Sequence, residues 1–330
     1  MEKVEIIDPC VDPRWDTFVE NHPLGWIVHT SGWKASLEST FPHIRGYFFV
    51  LIESETNTIK AGLPIYEVRS WLTGNRLVSI PFATLSDPLV SSQDQCAQLL
   101  DAAKALLEKN RCSYLEIRTF KANEWMGDRT FAETNDYIHD YLDLSVGQET
   151  LWKNLSYKSI RYRINKTTKN NLVLQTADNE QGLRTFYLLY AATRKRLGLP
   201  SQPYHFFKNL YDRFSPTGNV CVFLAQFEER MIAGQFIFKF KGRFSVEALG
   251  DDPFHRHLHG GHFLYWEGIK AACREGFQIY DFGRTSLRNS TLMNFKKRWG
   301  TRRNDLRTFF YDRTRKPFRS INREESSSYK

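Results

Sequence analysis

Two spacings of apolar residues recur along the chain. A three-and-four spacing sets Leu99, Leu100, Ala103, Leu106 and Leu107 on one face and predicts a helix over Asp94–Asn110. Shorter helices are expected near Pro13–Asn21 and Ser31–Thr40. Strand-like runs lie between and beyond them, at Tyr47–Glu53, Ile59–Arg69, Arg76–Pro81, Tyr114–Phe120 and Tyr137–Leu144. The second half repeats the order. Helices are expected at Glu149–Lys169, Glu180–Leu197 and Tyr204–Phe214, and strands at Val220–Phe227, Arg230–Phe240 and Arg243–Gly250. A helix at Gly261–Arg274 and strands at Gln278–Phe282 and Arg307–Asp312 follow. Residues 315–330 are polar and Ser-rich and are expected to form a flexible tail.

The repetition reaches individual residues. Ala61-Gly62-Leu63-Pro64-Ile65-Tyr66 answers Ala233-Gly234-Gln235-Phe236-Ile237-Phe238, each on the second strand of a hairpin. Tyr114-Leu115-Glu116-Ile117-Arg118 answers Ile279-Tyr280-Asp281-Phe282-Gly283-Arg284, each just after the long helix. Shared element order favours a duplicated α+β unit over chance similarity of apolar strands. The expected division is residues 1–150, residues 151–314 and the tail.

Composition supports real cores. Of 330 residues, 41% are hydrophobic and 15% aromatic, which excludes a disordered chain. The net charge of +9 is unevenly distributed. Residues 1–150 hold 13 basic and 22 acidic side chains, whereas residues 151–330 hold 33 and 15. A basic half of that size points to an anionic partner, or to mutual neutralisation of the two halves. The five cysteines are scattered and never spaced CxxC, which suits free thiols in a reducing cytoplasm. The start of the chain has no basic stretch leading into an apolar one, so no secretory signal is expected. No apolar run approaches the roughly 20 residues of a spanning helix.

Four segments are candidates for chemistry. Residues 157–169 hold five basic residues and no acid, and helical spacing sets Lys158, Arg161 and Asn165 on one side. The run reads either as a phosphate-binding helix or as a solvated connecting helix. Residues 284–319 hold 12 basic and 2 acidic side chains, among them Phe295-Lys296-Lys297-Arg298-Trp299-Gly300, where a lysine amid aromatics can hold an oxyanion. In Asp281-Phe282-Gly283-Arg284 a strand delivers a carboxylate and the glycine permits an unusual turn. Asp281 is therefore an acid/base group or a structural partner of Arg284 or a backbone amide. Gly260-Gly261 opens a helix whose free amides can bind an anion. His255, His257, His259 and His262 precede that helix in no zinc-binding spacing, so no metal is expected. Walker A, GxGxxG and GxSxG motifs are absent.

Taken in order, several segments resemble the FemAB-like family of aminoacyl and acyl transferases. They are Thr30-Ser31-Gly32-Trp33, the Lys158–Ile164 helix, Thr193–Pro200, Leu264-Tyr265-Trp266-Glu267-Gly268-Ile269-Lys270, Asp281–Arg284 and Phe295–Gly300. The resemblance implies two tandem GNAT folds, each a mixed, mostly antiparallel sheet flanked by helices. It implies transfer of an aminoacyl or acyl group to an amine of a cell-envelope precursor, exopolysaccharide or amino sugar. Lys296 aligns with the lysine the family uses to stabilise the carbonyl oxyanion, with Asp281 at the same strand end. Arg284, Gly283, Lys158, Arg161, Gly260, Gly261, Tyr265, Trp299 and Trp33 would contact substrate. No tightly bound cofactor is implied; the acyl donor is aminoacyl-tRNA or acyl-CoA. A cytoplasmic location, compatible with peripheral membrane association, goes with this reading. Leu37 and Gln202 stand where bridge-forming members place basic residues for a diphosphate acceptor. An acyl-CoA-dependent N-acetyltransferase and a non-catalytic RNA- or glycan-binding module are the alternatives.

Overall fold

The computed structural model describes residues 2–72 and 74–313. The expected tail at 315–330 lies outside them. In chain order the elements begin with β1 (Glu2–Ile7), α1 (Arg14–Asn21), α2 (Ser31–Thr40), β2 (Ile44–Glu53), β3 (Thr58–Val68), β4 (Arg76–Val78), α3 (Gln93–Lys109), β5 (Tyr114–Thr119) and β6 (Ala132–Asp143). They continue with α4 (Gln148–Asn154), α5 (Tyr162–Lys169), β7 (Val173–Thr176), α6 (Glu180–Arg196), α7 (Tyr204–Phe214), β8 (Val220–Phe227), β9 (Arg230–Phe240) and β10 (Arg243–Asp251). The last are α8 (Gly260–Arg274), β11 (Ile279–Ser286), α9 (Ser290–Lys297) and β12 (Arg302–Asp312).

The chain forms two compact units. Within the described residues, one runs to Tyr137 and regains the chain at Asp305; the other spans Ile138–Asn304. The boundary expected at 150/151 therefore falls earlier, inside β6, and a second crossing falls inside β12. Composition shifts cannot mark such boundaries, because each is a point within one regular strand.

In the first unit the strands run in the order β1-β2-β3-β4-β5-β12. Neighbours pair antiparallel except β4 with β5. The α3 stripe Leu99, Leu100, Ala103, Leu106 and Leu107 packs on Leu51, Leu63 and Ile65 of the sheet. Ser92 caps that helix by accepting the Gln95 amide. In the second unit the order is β11-β10-β9-β8-β7, again antiparallel except β10 with β11. Helix α8 lies on this sheet, burying Phe263, Leu264, Ile269 and Ala272 with Ile237, Phe244 and Tyr280.

The duplicated glycines have a steric reason. A Cβ on Gly62 would stand 2.5 Å from the Trp15 ring of α1, and one on Gly234 would stand 3.2 Å from the Phe186 ring of α6. At the same place in each hairpin, an aromatic from a helix of the same unit lies directly on bare backbone. Gly62→Ala should destabilise the chain by about 1–3 kcal/mol, because Trp15 is fully buried and cannot withdraw. A lower urea midpoint with an unchanged slope would show it.

Most elements match the periodicity to within two or three residues. The expected helix at Glu149–Lys169 is instead α4, a π-helical turn at Tyr157–Arg161 and α5. Three elements are additional: β1, β7 and α9. β1 and β7 are short and largely exposed, and α9 buries only Lys296, so none carries a strong apolar period.

Candidate active site

Strands β10 and β11 pair only where Arg243–Ser245 meets Ile279–Asp281. Just beyond, β10 bulges between Val246 and Ala248, placing Glu247 at the irregularity. Parallel strands that stop pairing open a crevice at their carboxyl ends. The first unit makes the same gap, since β4 pairs with β5 only at Leu77–Val78. There, however, the Arg118 guanidinium fills it, donating to the carbonyls of Ala83 at 3.0 Å and Ile80 at 3.1 Å.

Asp281 lies at the mouth of the second unit's crevice and is 1% exposed. Its carboxylate accepts from His139 Nε2 at 2.8 Å, Arg243 Nη1 at 2.8 Å and the Gly283 amide at 2.6 Å. Burial alone would raise its pKa. His139, Arg243 and the amide outweigh burial and hold the carboxyl well below the usual range. A carboxylate so occupied is a poor proton acceptor. The acid/base role for Asp281 therefore gives way to the structural one. Its partners are His139, Arg243 and the Gly283 amide.

Gly283 links this carboxylate to Lys296. At φ +71° it occupies the left-handed region that favours glycine. Its N–H points to Asp281, and its carbonyl accepts from Lys296 Nζ at 2.7 Å. A second Lys296 bond, at 3.3 Å, reaches the Arg284 carbonyl. An ammonium has three N–H donors, so one remains for another oxygen. Lys296 is 2% exposed. Burial lowers its pKa to about 8, although the Asp140 and Asp281 carboxylates oppose the shift. Asp140 is itself buried and accepts from Arg303 Nε at 2.8 Å.

Glu247 is half-buried. Burial and the Asp281 charge push its pKa up to about 7, while Arg284 pulls it down. Glu247 of β10 is thus a carboxyl near neutrality, and Lys296, bonded to two carbonyls of β11, a lysine just above it. Spacing gave no sign of Glu247, Arg243, Arg303, His139 or Asp140. The one available signal was His139-Asp140, two adjacent polar residues in the Tyr137–Leu144 strand.

Aromatic side chains wall the site from behind. Tyr265 stacks on Phe282 at 4.9 Å and meets Trp299 at 5.5 Å. His262 packs against Phe295 and Trp299, and burial lowers its pKa to about 3, so it stays neutral. Trp299 and Trp33 are both 0% exposed. They offer no surface to a ligand, which corrects the contact role expected for each. Trp299 supports the wall, and Trp33 belongs to the core of the first unit.

The remaining expected groups are spread out. Gly260 packs against Ala233, where a Cβ would stand at 3.0 Å, while Gly261 faces open space apart from Leu249. No side chain caps α8. Lys158 is exposed. Arg161 donates instead to the carbonyls of Lys153 and Leu155 at the end of α4. It closes a helix terminus rather than awaiting a phosphate, and the π-helical turn breaks the face it was to share with Asn165. A separate cavity of about 440 Å³ opens among α4, α5 and α8, lined by Trp152, Asn165, Thr168, Trp266 and Lys270. Among the described residues, no three His, Cys, Asp or Glu side chains converge as a metal site. No helix there is long and apolar enough to cross a membrane.

Residues 156–297 match the family described as the acetyltransferase (GNAT) domain. The second unit has the GNAT fold. The likeness extends to whole chains. A crystal structure of FemX superposes with a TM-score of 0.73 at 14% identity, over 94% of this chain and 97% of that one. L-PGS from Bacillus licheniformis gives 0.62 at 12% identity, with 98% of each chain covered. A tandem GNAT protein from the clavulanic acid biosynthesis pathway gives 0.59 at 9% identity, over 97% of this chain and 100% of that one. The resemblance to the FemAB-like family is thus borne out, as is the tandem GNAT, α+β fold expected from it. The GNAT match makes the second unit an acyltransferase-type domain. Among curated proteins no match is found.

Proposed function

We propose that the protein passes an acyl or aminoacyl group to the amine of a cell-envelope or saccharide acceptor. The observation that carries this is Lys296, buried and tethered to two carbonyls of β11, with one of its three N–H donors left for another oxygen. The acceptor amine attacks the acyl carbonyl, a C–N bond forms, and charge builds on the carbonyl oxygen. The ammonium of Lys296 offsets that charge where water is scarce. The proton lost by the amine goes to Glu247. Collapse breaks the bond to the donor, whose thiolate or alkoxide leaves and takes up a proton. The donor is acyl-CoA or aminoacyl-tRNA, and the uncapped start of α8 at Gly260-Gly261 suits the phosphates of either. No resident cofactor is required. A cytoplasmic location belongs to the same reading, since both donors are cytoplasmic.

Single-turnover transfer from labelled acyl-CoA and from labelled aminoacyl-tRNA, to a panel of amino sugars and peptides, tests it. No transfer from either donor would overturn it. The pH profile adds a sharper check. Glu247 acts deprotonated, so the rate rises through about pH 7. Lys296 acts protonated, so the rate falls through about pH 8. Glu247→Gln should remove the acid limb and lower the rate by about a hundredfold.

A further inference from the structure

Trp71 is 92% exposed and Leu72 is 65% exposed. They sit together in the turn from β3 to β4, at one end of the first unit's sheet. That end is basic, although residues 1–150 carry nine more acidic than basic side chains. Backbone bonds gather the segments around the turn. The Arg69 amide donates to His43, Ser113 donates to Asn75, and Arg313 donates to Ser113. Arg45, Arg69, Arg76, Lys109, Arg111 and Arg313 therefore line one rim. All but Arg76, which is half-buried, are exposed. The carboxylates there are fewer. Glu67 is 3% exposed and bonded to Arg69, Asp312 is half-buried, and Glu108 is exposed.

We propose that this turn is a membrane-contact tip, with Trp71 and Leu72 entering the headgroup region of an anionic bilayer and the arginine rim lying over its phosphates. Two neighbouring apolar side chains at the apex of a turn make too small and convex a patch for a stable protein interface. Indole at the water–lipid boundary, ringed by cations, matches what a bilayer surface offers. The rim's charge selects anionic lipid, and the tip's apolar area supplies the part of binding that salt does not screen. The inference does not depend on the acyl-transfer reading, and its test needs no substrate.

The full chain should co-sediment with vesicles of phosphatidylcholine and phosphatidylglycerol, and much less with phosphatidylcholine alone. Trp71→Ser with Leu72→Ser should lower the partition coefficient by about tenfold or more. Arg45→Gln with Arg111→Gln should weaken binding mainly at low salt. Brominated lipid should quench wild-type fluorescence more than that of Trp71→Phe, a check that holds even if the double serine variant folds poorly. Equal binding to both vesicle types, unchanged partition of the serine variant, or equal quenching of Trp71→Phe would overturn the proposal. So would capture of single-stranded RNA in place of vesicles by the same residues.

Discussion

Lys296→Met should slow acyl transfer by about two to three orders of magnitude while leaving donor binding nearly unchanged. Methionine keeps the length and bulk of the buried side chain but removes its charge and its three donors. The tethers to the Gly283 and Arg284 carbonyls hold the ammonium in place before any substrate arrives. Little reorganisation then accompanies the build-up of charge on the reacting oxygen, and that preorganisation gives a buried donor its large effect. The prediction concerns the rate constant, so single-turnover rates at saturating donor are the measurement. An unchanged rate in a folded variant would remove Lys296 from the mechanism. Lys296→Arg is a useful contrast. A guanidinium keeps its charge at high pH, so any residual activity should lose the decline through about pH 8.

The second large effect concerns stability. Asp281→Ala leaves Arg243 and His139 buried against no carboxylate, which should cost about 3–5 kcal/mol. That is a large share of the roughly 5–15 kcal/mol by which a typical domain is stable. Because the folded carboxyl has a lowered pKa, its contribution is present above the ordinary carboxylate range and is lost as pH falls through the folded value. Urea midpoints of wild type and variant should therefore differ by a constant amount at neutral pH and converge in strong acid. A gap that widened in acid would contradict the assignment. Asp281→Asn should fall between the two. It fills the space, but turns an amide N–H toward a site lined by donors.

The sites read from sequence fared unevenly, for reasons visible in the residues themselves. Asp281-Phe282-Gly283-Arg284 and Phe295–Gly300 are local motifs, and the structure does join them through Gly283 and Lys296. Arg161 looked like a free cation because sequence spacing cannot show that a π-helical turn brings it to the carbonyls ending α4. Trp33 and Trp299 looked like contact residues because a tryptophan's burial depends on what packs over it. Glu247 was invisible for a related reason. A single glutamate in a strand means nothing until a bulge and a parted neighbour place it in a crevice.

By itself the sequence determined most of the succession of helices and strands, the internal duplication and the two motifs in β11 and at the end of α9. These follow from apolar periodicity and turn residues acting over a few positions. Only the tertiary structure decided that β6 and β12 each cross a unit boundary and that Arg118 fills one of the two duplicated crevices. It also decided that His139 meets Asp281 across 142 positions and Arg303 meets Asp140 across 163. The physical reason is common to all of these. Strand register, buried ion pairs and the pKa of an enclosed lysine depend on which distant segments exclude water together, and no local pattern records that.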